Sequence, residues 1–150
     1  MLAPATAADA PSVAEVLIES RHAYLPFAPS AHPPEDVRRW VQEQLVPSGG
    51  VTVARLDDRI VGVLAVSREA TGGWIDQLYL LPGYPGRGIG TLLLGHAHAT
   101  LPRPIRLHTF QQNLGARRFS ERHGYVPVAW SDGQHNEERC PDVLYRLDAG

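Results

Sequence analysis

The sequence of 150 residues contains no lysine, so all 14 of its positively charged side chains are arginines. Without lysine, the chain has no residue for a Schiff base and no phosphate-binding lysine of the Walker type. It has a single cysteine, Cys140, which excludes an internal disulfide, and we find no zinc-ligand spacing. The seven histidines show no ligand spacing on a common face. We therefore expect no bound metal.

Long apolar runs and an excess of positive charge are also missing. The longest apolar run, residues 60–66, is far shorter than the roughly 20 residues that span a bilayer. The N-terminus has neither the basic region nor the apolar core of a signal peptide. The net charge of −2 contrasts with the basic character of most nucleic-acid-binding domains. We expect a cytoplasmic protein with no membrane partner and no nucleic-acid partner.

What the chain does have is an ordinary globular composition and clear hydrophobic periodicity. Its length predicts one domain over residues 1–150. Period-two patterns predict strands over residues 51–56, 60–67, 74–81, 105–110, 125–130 and 142–147. Four helices are predicted: one after a capping box of Thr6 and Asp9, one near residues 37–45, one from residue 89, and one over residues 113–123. The apolar stripe expected on the third helix comprises Ile89, Leu92, Leu93, His96 and Ala97. This order predicts an α/β fold with a mixed sheet and helices on both faces.

Three glycines, Gly86, Gly88 and Gly90, lie within five positions between a predicted strand and a predicted helix. Glycine in an element interior costs about 0.5–1 kcal/mol relative to alanine, so the cluster indicates a backbone that another group approaches closely. Free amides at a helix N-terminus favour a diphosphate. The spacing is not the G-x-G-x-x-G of dinucleotide sites, and no acidic residue follows about 20 positions later. A plain strand-to-helix turn is the alternative.

The stretch LYLLPGYPGRGIG, with TFQQNLGARRFSERHGYVPV further on, resembles the GNAT superfamily of acetyl-CoA-dependent N-acetyltransferases. The resemblance covers nearly the whole chain and is most specific over residues 74–128. Pro85 stands where the family signature, Q/R-x-x-G-x-G/A, has glutamine or arginine. The resemblance implies a sheet of about seven strands, mostly antiparallel, with a splayed parallel pair at the centre. It also implies acetyl-CoA as co-substrate and a primary amine as acceptor.

The resemblance assigns a cofactor site. Main-chain amides near the glycines would hold the pyrophosphate, the edge of the preceding strand would pair with the pantetheine amides, and Asn113 would contact the cofactor. Arg118 would meet the 3′-phosphate with Arg117 and Arg122, although these arginines are also typical of a solvated helix face. The expected cofactor-binding residues are Leu78, Tyr79, Leu80, Gly86, Arg87, Gly88, Ile89, Gly90, Thr91, Asn113 and Arg118.

Acetyl transfer needs a neutral amine, but an alkylammonium with a pKa of about 10.4 is almost fully protonated at neutral pH. Asp76, predicted on the same strand face as Leu78 and Leu80, and His108, on the next strand, are the candidate general bases. Asp76 paired with an arginine, and His108 as a satisfied, half-buried strand residue, are the alternatives. The Leu80 N–H is the expected donor to the thioester oxyanion.

The general acid is less clear. Where relatives carry a tyrosine on the last helix, this chain has Ser120, which we retain as a candidate catalytic residue. Water, Tyr24 or Tyr145 are possible substitutes, and a thiolate with a pKa near 8–9 leaves without much help. Because of Ser120 and Pro85, a CoA-binding module with little catalysis is the alternative function.

The acceptor site is predicted from two loops. Tyr24, Phe27 and His32 lie in or beside a proline-rich loop, and Glu137 lies in a late acidic loop with Asp132 and Glu138. The acidic loop is also typical of a solvated hairpin turn. We expect a small-molecule amine in preference to an exposed protein amine, and a homodimer is compatible with the sequence.

Overall fold

In the computed structural model, which describes residues 1–26, 32–84 and 88–148, seven strands form one open sheet. The strands are β1 (Leu2–Pro4), β2 (Val51–Leu56), β3 (Arg59–Glu69), β4 (Gly72–Leu80), β5 (Ile105–Phe110), β6 (Val126–Ser131) and β7 (Asp142–Leu147). Their order across the sheet is β1-β2-β3-β4-β5-β7-β6. The predicted site residues Phe27, Gly86 and Arg87, and also Pro85, lie outside the described residues.

Four α-helices flank the sheet in the described part of the chain: α1 (Ala10–Tyr24), α2 (Pro34–Trp40), α3 (Ile89–Thr100) and α4 (Leu114–Arg122). A π-helical turn over Val41–Leu45 continues α2. Successive strand residues point to opposite faces, so Val63 packs in a core with α1 while Leu64 packs in a second core with α3. We call these the α1 face and the α3 face of the sheet. The predicted mixed sheet with helices on both faces is confirmed.

Every neighbouring pair of strands is antiparallel except β4 and β5, which are parallel. This parallel pair has only two pairings, Gly73 with Ile105 and Trp74 with Arg106. The start of β4 is fixed because the Gly73 N–H donates to the carbonyls of Pro102 and Pro104, at 2.9 and 3.0 Å. Beyond Trp74 the two strands are no longer paired. The predicted splayed parallel pair is therefore present at the centre of the sheet.

A β-bulge lies in β4 where the two strands part. Ala65 of β3 pairs with Gln77 and the next residue, Val66, pairs with Ile75, so Asp76 is the extra residue. A bulge bends its strand and increases the local twist, which turns β4 away from β5. It also breaks the alternation of side chains along β4, which the sequence pattern does not reveal.

The structure differs from the sequence-based expectation in two details. The strand β1 was not predicted, because three residues are too few to show a period, yet it pairs antiparallel with β2 from Leu2 opposite Ala54. On α3, Leu92 is 61% exposed and His96 is also exposed, while Leu93 and Leu94 are buried. A run of three leucines fits more than one rotation of a helix, so the sequence pattern leaves the apolar face of this helix undetermined.

The described helices include none that is both long enough and apolar enough to span a bilayer.

The N-terminus of α1 is held by a buried carboxylate, Asp9. Its Oδ2 accepts a hydrogen bond from the Thr6 backbone N–H at 2.8 Å, as the predicted capping box requires, and its Oδ1 accepts one from Arg55 Nη2 at 2.6 Å. The backbone hydrogen bond from Thr6 is the largest cause that lowers the pKa of Asp9 below its usual value, and Arg55 adds to it against the opposing effect of burial.

We expect Asp9→Asn to lower the free energy of unfolding at neutral pH by about 2 kcal/mol, because charge-assisted hydrogen bonds are lost. Since the pKa of Asp9 is lowered on folding, its contribution is complete above the ordinary carboxyl value of about 3.9 and is lost as the pH falls through the lower folded-state value. Denaturant unfolding of both proteins across this range measures it. A gap between them that stays constant into acid would contradict this account.

Candidate active site

A cleft of about 1070 Å³ opens where β4 and β5 part, and residues of both strands line it. It brings together most of the predicted site residues that the structure describes: Tyr24, Asp76, Leu78, Tyr79, Leu80, Gly88, Gly90, Thr91, His108, Asn113, Arg118 and Ser120. Ile89 is the exception among the described cofactor candidates, because its side chain packs against both apolar cores. Its backbone N–H nevertheless belongs to the first turn of α3.

One end of the cleft is the N-terminus of α3. Gly88 is the N-cap residue, with φ of +80°, a left-handed conformation that favours glycine. Its carbonyl accepts the first helical hydrogen bond, from the Leu92 N–H at 3.1 Å. The N–H groups of the first turn, at Ile89, Gly90 and Thr91, have no partner within the helix. This end of the cleft is therefore suited to bind an anion.

The floor of the cleft is the open edge of β4. The Leu81 N–H donates to the Val61 carbonyl of β3 at 2.8 Å. Because backbone groups alternate direction along an antiparallel strand, the Leu80 N–H points to the opposite edge, toward β5. That edge of β4 is unpaired after Trp74. It offers hydrogen bonds to an extended, amide-bearing ligand such as pantetheine.

The arginines of α4 divide between two roles. Arg117 is held in the fold, since its Nε donates to the Tyr145 hydroxyl at 3.3 Å and its guanidinium stacks over the Trp130 ring at 5.0 Å. Arg118 and Arg122 instead line the cleft. Asn113 is the N-cap of α4, where its Oδ1 accepts a hydrogen bond from the Ala116 N–H at 3.1 Å.

Asp76 lies on the α1 face, and the prediction that it shares a face with Leu78 and Leu80 is wrong. The bulge at Asp76 breaks the alternation of side chains along β4. Burial raises the pKa of Asp76 above its ordinary value, the Ser67 hydrogen bond lowers it, and nearby Glu69 raises it. Among the described residues no arginine forms an ion pair with Asp76.

His108, on β5, lines the same cleft as Asp76. The preceding residue, Leu107, is buried in the core of the α3 face. Because side chains alternate along β5, the imidazole of His108 lies on the α1 face. The ring is exposed and stacks on the Trp74 indole, with 5.5 Å between ring centroids and 19° between planes. It makes no hydrogen bond to any described residue. His108 is therefore not the satisfied, half-buried histidine of the alternative interpretation.

Three hydroxyl groups near the cleft bear on the general acid. Ser120 is buried and lines the cleft. Tyr145 is fully buried and does not line the cleft. Its hydroxyl donates a hydrogen bond to Glu121 Oε2 at 2.5 Å. Burial raises the pKa of Tyr145, as does its hydrogen bond to Glu121. Tyr145 is therefore excluded as the general acid, whereas Ser120 and Tyr24 remain at the cleft.

Tyr24 links α1 to the loop before the glycines. Its hydroxyl accepts a hydrogen bond from the Gly83 N–H at 3.2 Å. The sequence predicted Tyr24 as a substrate-binding residue and as a possible substitute for the general acid, and no sequence signal indicates this contact across 59 positions. The hydrogen bond positions the loop that leads into the anion-binding end of the cleft.

We expect Tyr24→Phe to weaken acetyl-CoA binding about fivefold, because one hydrogen bond of about 1 kcal/mol is lost from the supporting loop. Titration calorimetry measures the change, and an unaltered thermal midpoint serves as the control for folding. An unchanged dissociation constant would show that Tyr24 does not position this loop.

The predicted acceptor residues His32 and Glu137 do not line the cleft. They line a second cavity of about 950 Å³ on the α1 face, where His32 Nε2 lies 3.1 Å from Glu137 Oε2. Glu138 lines both spaces and forms an ion pair with Arg21 at 2.6 Å. Gln77, which the sequence analysis missed, also lines both, because its pairing with Ala65 places it on the α1 face.

Within residues 1–26, 32–84 and 88–148, no three histidine, cysteine, aspartate or glutamate side chains form a group that would hold a metal ion.

Comparison with known proteins agrees with this geometry. The Acetyltransferase (GNAT) family model matches residues 17–125. Among solved structures, the chain is similar to PaiA N-acetyltransferase from Thermoplasma acidophilum in complex with coenzyme A, with 20% identity, a TM-score of 0.77, and 99% of this chain and 98% of that chain covered. An acetyltransferase from Thermus thermophilus has 24% identity and a TM-score of 0.78, with 99% of this chain and 96% of that chain covered. No curated protein sequence matches significantly.

The family match assigns this fold and its cleft to the acetyltransferases. The chain belongs to the GNAT family.

Proposed function

We propose that the protein transfers the acetyl group of acetyl-CoA to the nitrogen of a primary amine by direct attack in a ternary complex. One observation carries this proposal: the gap between β4 and β5 has Asp76 and His108 on its two walls and the N-terminus of α3 at its end. In this arrangement the pyrophosphate of acetyl-CoA binds at Gly88 and the first turn of α3. Pantetheine lies along the open edge of β4.

The chemistry follows from the groups around the thioester. The Leu80 N–H, directed toward β5, donates to the carbonyl oxygen as it gains negative charge. His108 accepts the proton of the attacking ammonium, because an imidazole is a better match to proton transfer at neutral pH than a carboxylate. Asp76, near it on the α1 face, attracts the ammonium form of the amine. The C–N bond forms, the nitrogen gives its remaining extra proton to water, the C–S bond breaks, and CoA leaves as a thiolate.

The replacement of the usual tyrosine by Ser120 bears on the last step. A serine hydroxyl is a weak acid, so the thiolate of CoA departs unprotonated or takes its proton from water or the Tyr24 hydroxyl. Since the thiol of CoA has a pKa near 8–9, this substitution slows the reaction only modestly. A CoA-binding module with little catalysis is the alternative that Ser120 favours.

A thiol-release assay over a panel of primary amines, combined with calorimetric titration of CoA, separates the two functions. We expect tight CoA binding and amine-dependent release of thiol. Tight binding with no amine-dependent release for any member of the panel would favour the binding module.

A further inference from the structure

The second cavity adjoins the catalytic cleft and shares lining residues with it. Gln77 and Tyr79 line both spaces, and they pair across β4 and β3 with Ala65 and Val63, whose side chains belong to the α1 face. Asp76 and His108 lie on the same face. A molecule held in the second cavity therefore reaches the proposed position of the thioester without crossing the sheet.

The walls of the second cavity are largely apolar. They are formed by Ile18, Leu25, Pro26, Pro33, Val37 and Trp40. Trp40 ends α2 and is 41% exposed, although its helical spacing with Val37 and Val41 is typical of a core position. An indole at the wall of a cavity offers a large, flat surface to an apolar or aromatic group.

The carboxylates of the second cavity already have partners. Glu138 is paired with Arg21 at 2.6 Å, and both side chains are less than one fifth exposed. Glu137 is paired with His32 at 3.1 Å, and Asp36 lies 3.6 Å from Arg39. The carboxylates of Glu137 and Asp36 are exposed, and an additional ammonium group that pairs with an exposed carboxylate gains little, because water screens the interaction. The charges therefore favour an acceptor with a single amine.

We propose that the second cavity binds the acceptor and that the acceptor is a small primary monoamine with an apolar, preferably aromatic, body. This proposal rests on the proposed acetyl transfer. The amine of the acceptor points past Gln77 and Tyr79 toward the cleft, and its apolar body packs on Trp40.

The test compares three amines with the same protein. 3-Phenylpropylamine and propylamine differ by a phenyl ring, and spermidine represents the polycations. We expect kcat/KM for 3-phenylpropylamine to exceed that for propylamine by about 10- to 100-fold, because the ring is removed from water. We expect spermidine to be no better than propylamine. A preference for spermidine would overturn the proposed acceptor class while leaving acetyl transfer intact.

Trp40→Ala locates the body of the acceptor. We expect it to lower kcat/KM for 3-phenylpropylamine about tenfold, with little change for propylamine or in the affinity for CoA. Trp130→Ala is the matched control, because Trp130 is 55% exposed on β6 and does not line either space. Equal effects of the two variants, or none from Trp40→Ala, would overturn the proposed location.

Calorimetry of 3-phenylpropylamine with the CoA-loaded protein separates this proposal from the proposed function. Binding that Trp40→Ala weakens, in a protein that releases no thiol with any amine, would uphold the cavity assignment and refute catalysis. Acetylation of propylamine without any binding of 3-phenylpropylamine would uphold catalysis and refute the cavity assignment.

Discussion

Replacing His108 by alanine is expected to lower kcat for amine acetylation at neutral pH by about 100-fold, at the lower end of what a general base contributes. The physical reason is the protonation of the acceptor, since an alkylammonium with a pKa of about 10.4 must lose a proton before it attacks. The imidazole is exposed in the cleft and stacked on Trp74, so its removal disturbs no hydrogen bond to a described residue. Steady-state thiol release measures the effect.

The matched control is His96→Ala, because His96 is an exposed histidine on α3 that does not line the cleft. It should leave kcat unchanged. We expect Asp76→Asn to lower kcat less than His108→Ala does, by about tenfold, since Asp76 attracts the ammonium form of the amine whereas His108 accepts its proton. If neither Asp76→Asn nor His108→Ala lowers the rate by about tenfold, the assignment of the base is wrong.

Replacing Gly88 by alanine is expected to weaken acetyl-CoA binding by about 100-fold. A loss of this size corresponds to two hydrogen bonds from main-chain amides to the charged pyrophosphate. Gly88 has φ of +80°, and no heavy atom lies within 4 Å of the position that a Cβ would take. The added methyl group therefore meets no protein neighbour but enters the end of the cleft, where it separates the pyrophosphate from the amides of the first turn of α3.

Gly49→Ala is the matched control for Gly88→Ala. Gly49 has φ of +86°, and a Cβ there would also have no neighbour within 4 Å, but Gly49 does not line the cleft. Both variants carry a similar backbone strain, so both should lose similar stability in denaturant unfolding. Calorimetric titration should show weak acetyl-CoA binding for Gly88→Ala alone. Comparable losses of affinity in the two variants would mean that strain, and not contact with the ligand, decides binding.

The sequence predicted the parts of the fold that depend on local patterns. The bounds of β2, β5 and β7 are as predicted, because each strand has regular alternation between clear turn signals. The helix α4 begins after Asn113 and ends before Gly124, which has φ of +93°, and both residues are recognisable caps.

The parts that were not predicted depend on contacts distant in the chain. The bulge at Asp76 exists only in the pairing of β4 with β3, so the face of Asp76 and the exposure of Gln77 to both cavities were not evident. Trp40 fits an apolar helical stripe, yet the fold places it at a cavity wall. The hydroxyl of Tyr145 is engaged by α4, which no local pattern indicates.

The most direct measurement is a calorimetric titration of the unmodified protein with acetyl-CoA and, separately, with pantetheine, which has no pyrophosphate. Anchoring by the main-chain amides of the glycine loop predicts one acetyl-CoA per chain and an affinity for pantetheine weaker by at least about 100-fold. Absence of heat with acetyl-CoA, or equal affinity for the two compounds, would contradict a diphosphate site at this loop and with it the acetyltransferase mechanism built on it.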